Sequence, residues 1–293
     1  MPEAAPASPA PSTSTSTSTT APSTSPSPSP SPRIDTTRPH PARLYDWYLG
    51  GKDNYPVDEE LGRKLLAVAP GIPLAARQNR AFMHRSTRWL AERGVRQYLD
   101  IGTGIPTEPN LHRIAQESVP GARVVYCDND PIVLAHAGAL LDSTPEGAVD
   151  FVQADARDTD TILEQAARTL DFGEPVALSL IALLHFISDE DGARELVERL
   201  VAALAPGSYL TLSNLTADFA PEDMANGVTG FYKSGAMTME LRDRARFGAF
   251  FAGLELVEPG VVVLEDWHPE LGEVVPVGEG TFSSGYAATA RKP

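Results

Sequence analysis

The sequence predicts an α/β fold built on a mostly parallel, doubly wound sheet. Three observations carry the prediction. From about residue 97 onward, short apolar runs alternate with segments of helical pattern. Residues 176–184 are nearly continuous in apolar character, as befits a parallel strand buried on both faces. The first apolar run ends in Asp100 and passes into Gly102 and Gly104, two glycines at alternate positions where a strand turns into a helix.

The elements follow in order. Residues 1–33 are almost all Pro, Ser, Thr and Ala. With so little apolar surface to bury they cannot offset the entropy of ordering, and they read as a disordered tail. No basic start followed by an apolar run is present there, so the pattern is not that of a signal peptide. Leu44, Trp47 and Tyr48 then stand at helical spacing, and Gly50 and Gly51 end the turn. Large aromatics beside a double glycine suit a hinged lid, with Tyr45, Gly51 and Asn54 as its candidate contacts. A packing helix and its loop is the competing reading. A helix over 58–69 stops at Pro70 and Gly71. Asn79 reads as the N-cap of a helix over 80–93, with Gly94 past its end and Phe82, Met83, Trp89 and Leu90 as its core stripe.

The alternation begins with a strand over Gln97–Ile101 and a helix over 108–119 capped by Thr107. A second strand covers Arg123–Asp128, and Asp130 with Pro131 opens a helix to residue 141. A strand over 149–153, a helix over 160–170 and the apolar strand over 176–184 follow, the last closed by His185. Asp189, Glu190 and Asp191 lie at the positive end of a helix over 192–204. A fifth strand covers 208–215. Residues 216–237 break the rhythm and read as an irregular insertion, in which Tyr232 and Lys233 either line an acceptor site or sit in solvent. A helix over 240–251, strand-like runs over 254–257 and 261–264, and a last strand over Gly285–Arg291 complete the chain.

The formal net charge is −15, and no basic run occurs. This disfavours nucleic-acid binding, which needs clustered Lys and Arg. No apolar stretch approaches a membrane span. Cys127 is the one cysteine, which excludes an intrachain disulfide and a cysteine-based metal cluster. Its place in an apolar strand predicts a buried thiol. The expectation is a soluble cytoplasmic protein without a metal, its oligomeric state unread.

The glycine turn is where a ligand is expected. Glycine lets the backbone approach a ligand closely, and the helix beyond offers unpaired N–H groups and a favourable dipole. Asp128 ends the second strand, about 20 residues on, where an acid accepts hydrogen bonds from a ribose. A nucleoside-containing cofactor follows.

The run Asp100 to Gly104, Asp128, and the pair Asp155 and Ala156 after the third strand resemble class I S-adenosylmethionine-dependent methyltransferases. More closely, the chain resembles an S-adenosyl methyltransferase family of high-GC bacteria, long described as a domain of unknown function. The matching stretches are residues 45–54, Asn79 to Phe82, Asp100 to Thr107, Val125 to Pro131 and Leu184 to Ile187. The likeness covers residue 43 to the C-terminus. It implies a Rossmann-like sheet of seven strands with the last antiparallel, a helical N-terminal cap over 34–95, and a cofactor-binding methyltransferase domain over 96–293. It implies S-adenosyl-L-methionine as cofactor. Gly102 and Gly104 would admit the methionine part, with Thr103 between them. Asp100 would stand near the methionine amino group, Asp128 would hold the ribose hydroxyls beside Asn129, and Asp155 would face the adenine amino group with the Ala156 backbone nearby. Arg80 joins Tyr45, Gly51, Asn54 and Tyr232 as a lid or substrate candidate. Pro106 stands where the wider class often has a third glycine. It lacks an N–H, so no cofactor hydrogen bond comes from that residue.

Methyl transfer from a sulfonium gains most from holding the reacting atoms in line, and a base is needed only if the acceptor loses a proton. His185, at the carboxyl end of the fourth strand, is the candidate base; bracing of neighbouring loops is the alternative. The expected function is methylation of a small-molecule acceptor. A cofactor-binding regulatory protein without turnover is one rival. A nicotinamide-dependent oxidoreductase is another, disfavoured because Thr107 replaces the last glycine of the dinucleotide fingerprint.

Overall fold

The apolar runs over Gln97–Ile101, Arg123–Asp128, Ala177–Ile181, Tyr209–Leu215 and Gly285–Arg291 become strands whose side chains are mostly buried on both faces. In this computed structural model the described residues are 34–136, 142–234, 237–278 and 281–293, with Met1 and Ala4. The tail expected over 1–33, those two residues apart, and residues 137–141 of the helix expected after Asp130 lie outside them.

The strands are β1 (Gln97–Ile101), β2 (Arg123–Asp128), β3 (Ala148–Gln153), β4 (Ala177–Ile181), β5 (Tyr209–Leu215), β6 (Glu255–Leu256), β7 (Val262–Val263) and β8 (Gly285–Arg291). The helices are α1 (Pro41–Tyr48), α2 (Pro56–Val68), α3 (Ile72–Glu92), α4 (Leu111–Ser118), α5 (Pro131–Ala135), α6 (Thr159–Ala166), α7 (Ala193–Ala202), α8 (Glu222–Ser234) and α9 (Arg244–Gly248). The sheet order is β3-β2-β1-β4-β5-β8-β6, with β7 also on β8. The first five strands pair in parallel, and β8 runs antiparallel to β5. Because β5 pairs along the whole of β8, β6 and β7 share its other edge as two pieces of one position. Pro259 and Gly260 lie between them, and the register jumps there.

Successive side chains alternate between two cores. Leu99, Ile101, Val125 and Cys127 face one, under α6 and α7. Tyr98, Val124 and Tyr126 face the other, under α3 and α4. Full burial of a residue such as Leu99 contributes roughly 1.5–3 kcal/mol. Cys127 is buried, and burial pushes its thiol up to about 12. Among the described residues no helix is long and apolar enough to cross a membrane.

Several boundaries differ from expectation. Asn79 is not an N-cap: α3 starts seven residues earlier, at Ile72, with Pro73 in its first turn. Pro70 and Gly71 stop one helix, Gly71 also stands as the N-cap of the next, and Pro73 suits that helix's first turn. Thr107 caps nothing, because the following helix begins at Leu111 after Asn110. Pro109 steers Glu108 away from helical dihedrals and delays the start. β4 ends at Ile181 rather than 184; Ala182 takes φ 55, and a 3-10 turn over Leu184–Phe186 follows. Residues 216–237 are not irregular throughout but hold α8. Its glycines mark close packing, since a Cβ on Gly227 would lie 2.5 Å from Val68 Cγ1 on α2. The helix expected over 240–251 is the short α9, started by the Asp243 carboxylate accepting from Arg246 N, and then a 3-10 turn.

Candidate functional site

The chain runs β1 to β3 in one direction, then crosses to β4 and β5 on the other side of β1. The crevice at the carboxyl ends of β1 and β4 is therefore the topological switch point, where open α/β sheets bind ligands. A cavity of about 400 Å³ lies there. Asp100, Gly102, Thr103, Gly104, Asp128, Asn129, Asp155, Ala156, Arg80 and Tyr45 all line it. The eight cofactor candidates thus converge from three strand ends.

Its floor is the glycine turn. Gly102 N donates to Cys127 O at 2.8 Å, and Thr103 Oγ1 donates to Asp100 O at 3.0 Å. Gly102 and Gly104 have φ of 77° and 68°, which glycine adopts without strain. Among the described residues, its own chain neighbours apart, no atom lies within 4 Å of where a Cβ on Gly104 would stand, so that position is open. Asp128, 7% exposed, accepts from Gly104 N at 2.8 Å through Oδ2 and from Asp130 N at 3.0 Å through Oδ1. Burial raises its carboxyl above the usual range, and these two N–H donors oppose the rise. Burial also pushes Asp100 up to about 6, with the Arg80 charge acting against it. Asp155 is half exposed and pairs with Arg157 at 3.2 Å.

Arg80 reaches this floor from α3. It donates to Thr107 O and, at 2.9 Å, to Pro109 O, so it ties down the turn between β1 and α4. Its Nε is buried without a hydrogen-bond partner among the described residues. Burial lowers its pKa, and nearby Tyr45 and Asp100 act the other way.

The N-terminal helices reach the same crevice. His40, Pro41, Ala42 and Tyr45 line the cavity. His40 Nδ1 is 3.0 Å from Asp130 Oδ2, and Arg43 Nε lies 3.4 Å from Asp58 Oδ2 and 3.6 Å from Asp130 Oδ2. Asp130 thus joins the segment before α1 to the strand end that carries Asp128. Local pattern gave no signal for His40 or Arg43, whose partners are remote in sequence.

Gly51 and Asn54 are not brought to this cavity. They surround Asp46, whose Oδ2 accepts from Asp53 N at 3.0 Å and Asn54 Nδ2 at 3.1 Å. A Cβ on Gly51 would fall 1.9 Å from Asp46 Oδ1. The double glycine here serves the tight wrapping of a loop around one carboxylate. Tyr232 is buried on α8 rather than solvated, and with His185 it lines a smaller neighbouring cavity. His185 sits in the 3-10 turn after β4, which Arg242 braces. That fully buried guanidinium donates to Leu184 O at 2.7 Å and Ile187 O at 2.8 Å, and to Asp189 Oδ1. Arg242 was hidden from sequence reading by its apparent place inside a helix.

Comparison with known proteins agrees with this geometry. Residues 27–293 match the model of a family described as S-adenosyl methyltransferase. The crystal structure of a DUF574 family protein from Streptomyces avermitilis is similar at 48% identity and TM-score 0.83, over 89% of this chain and 100% of that one. A candidate methyltransferase from Thermobifida fusca is similar at 37% identity and TM-score 0.80, over 91% of this chain and 99% of that one. No curated protein matches the chain. The glycine turn, the acid at the end of β2 and the antiparallel last strand therefore belong to a member of the S-adenosyl methyltransferase family, with S-adenosyl-L-methionine as its methyl donor.

Proposed function

We propose that the cofactor occupies the 400 Å³ cavity and that the protein methylates a small-molecule acceptor. One observation carries the placement: the Asp128 carboxylate is fixed at the cavity floor by two backbone N–H groups, with Gly104 open in front of it. A carboxylate so held has lone pairs left for the two ribose hydroxyls. Asp100 takes the methionine amino group. Asp155 and the Ala156 backbone take the adenine edge, with Asn129 and Thr103 beside them. Arg80, which lines the cavity, supports the fit further: its buried Nε, without a hydrogen-bond partner among the described residues, is available to the methionine carboxylate. When bound, the cofactor supplies an electrophilic methyl on a sulfonium. Residues 34–95 act as a cap, with His40 and Tyr45 closing the crevice and excluding water.

The acidic balance of the chain, −15, supports a small-molecule acceptor over a nucleic acid. Calorimetric titration of the purified protein with S-adenosylmethionine, S-adenosylhomocysteine and NADH tests the placement. Binding of the first two with no binding of NADH is expected. Preference for NADH, or no binding of any, would sink it.

A further inference from the structure

A second cavity of about 60 Å³ adjoins the first. Pro41, Tyr45, Asn79, Ala182 and Phe186 line both and form the seam between them. That seam is rigid. Tyr45 Oη donates to Ala76 O at 2.9 Å and accepts from Asn79 Nδ2 at 3.0 Å. Asn79 Oδ1 accepts from Ser213 Oγ, and Ser213 Oγ accepts from Ala182 N at 2.9 Å. Ala182 holds φ 55 there, a left-handed conformation costly for a residue with a Cβ and concentrated at functional sites.

Among the described residues, none of those lining the smaller cavity is Asp, Glu, Lys or Arg. Leu44, Ile72, Ala75, Ala76 and Leu215 give it apolar walls. Two buried polar atoms of its lining have no hydrogen-bond partner among the described residues, Tyr48 Oη and His185 Nδ1, and His185 is 4% exposed. An unsatisfied buried ring nitrogen destabilises the fold, and a ligand hydroxyl that reached it would offset that loss. Burial, reinforced by the Arg242 charge, pushes the imidazole down to about 3, so it is neutral at ordinary pH. A neutral ring in an uncharged apolar pocket discriminates against ions, which lose their hydration with nothing to replace it.

We propose that this smaller cavity receives the methyl-accepting end of the acceptor, and that this end is an uncharged hydroxyl group on a short apolar stem, hydrogen-bonded to His185. The assignment rests on the cofactor occupying the larger cavity. Size limits the guest: a cavity of about 150 Å³ accommodates benzene, so about 60 Å³ takes only a few heavy atoms. The remainder of the acceptor lies outside it.

The test uses three probes of similar size and different charge: 2-propanol, isopropylamine in its ammonium form, and acetate. Saturation-transfer NMR on the full chain, saturated with S-adenosylhomocysteine, reads their binding. Transfer to 2-propanol alone is expected. Ala76→Leu fills the smaller cavity from α3 and should reduce that transfer at least fivefold while S-adenosylhomocysteine affinity stays within twofold. Ala75→Leu is the second filling variant should the first fold poorly. His185→Phe should weaken 2-propanol transfer with its walls intact. Equal transfer to a charged probe overturns the proposal alone, as does an undiminished 2-propanol signal in a filled variant that still binds S-adenosylhomocysteine. A wild-type protein that does not bind S-adenosylhomocysteine overturns the larger-cavity placement, and this proposal with it.

Discussion

The backbone N–H of Gly104 donates to Asp128 Oδ2 at 2.8 Å, joining the turn after β1 to the end of β2. The two residues proposed to meet the methionine and ribose parts of the cofactor thus hold each other. Asp128→Ala should lose both the ribose contact and the brace on the turn. A fall in S-adenosylhomocysteine affinity corresponding to about 1–3 kcal/mol is expected by calorimetry. Unchanged affinity would remove Asp128 from the site.

Gly51 separates the lid from the loop. Any side chain there collides with the Asp46 carboxylate. Gly51→Ala should destabilise the fold by roughly 1–3 kcal/mol in a denaturant titration, as overpacking does. Cofactor affinity of the folded fraction should stay within about threefold, given that Gly51 lines neither cavity. A large loss of affinity with unchanged stability would restore the lid role.

Asp100 should set a pH dependence. Its carboxyl is pushed up to about 6 by burial, above the ordinary 3.8. The folded state therefore binds the proton more tightly than the unfolded chain, so this group stabilises the cofactor-free protein below 3.8 and loses that contribution as pH rises through 6. The ionised form is the one that accepts an ammonium. Cofactor affinity should fall as pH drops below about 6, and Asp100→Asn should remove that inflection. An inflection that persists in Asp100→Asn would assign it elsewhere.

His185 has the opposite sign. Its pKa lies near 3, below the ordinary 6.5, so the unfolded chain binds the proton more tightly. The stability this group contributes is complete above 6.5 and is lost as pH falls toward 3. NMR of the ring should show no titration of His185 between pH 5 and 8. A midpoint inside that range would contradict its buried, neutral state.

The strands and their order of alternation were legible in the residues. β1, β2 and β8 begin and end where the apolar runs do, because strands buried on both faces write their limits in hydrophobicity. Gly102, Gly104 and Asp128 were legible for a related reason: a tight turn and a strand-end acid are local patterns, and their spacing places them at one edge of the sheet. Local chemistry also concealed things. The side chain of Asn79 resembles a cap but bonds laterally to Tyr45 and Ser213, and Gly227 resembles a loop residue but packs a helix against α2. Tertiary structure alone decided that Arg242 holds the His185 turn, that Asp130 meets His40, and that a small uncharged cavity lies behind the Tyr45–Asn79 seam. Those contacts join residues remote in sequence, and a buried charge or an empty volume is defined by everything packed around it rather than by its neighbours along the chain.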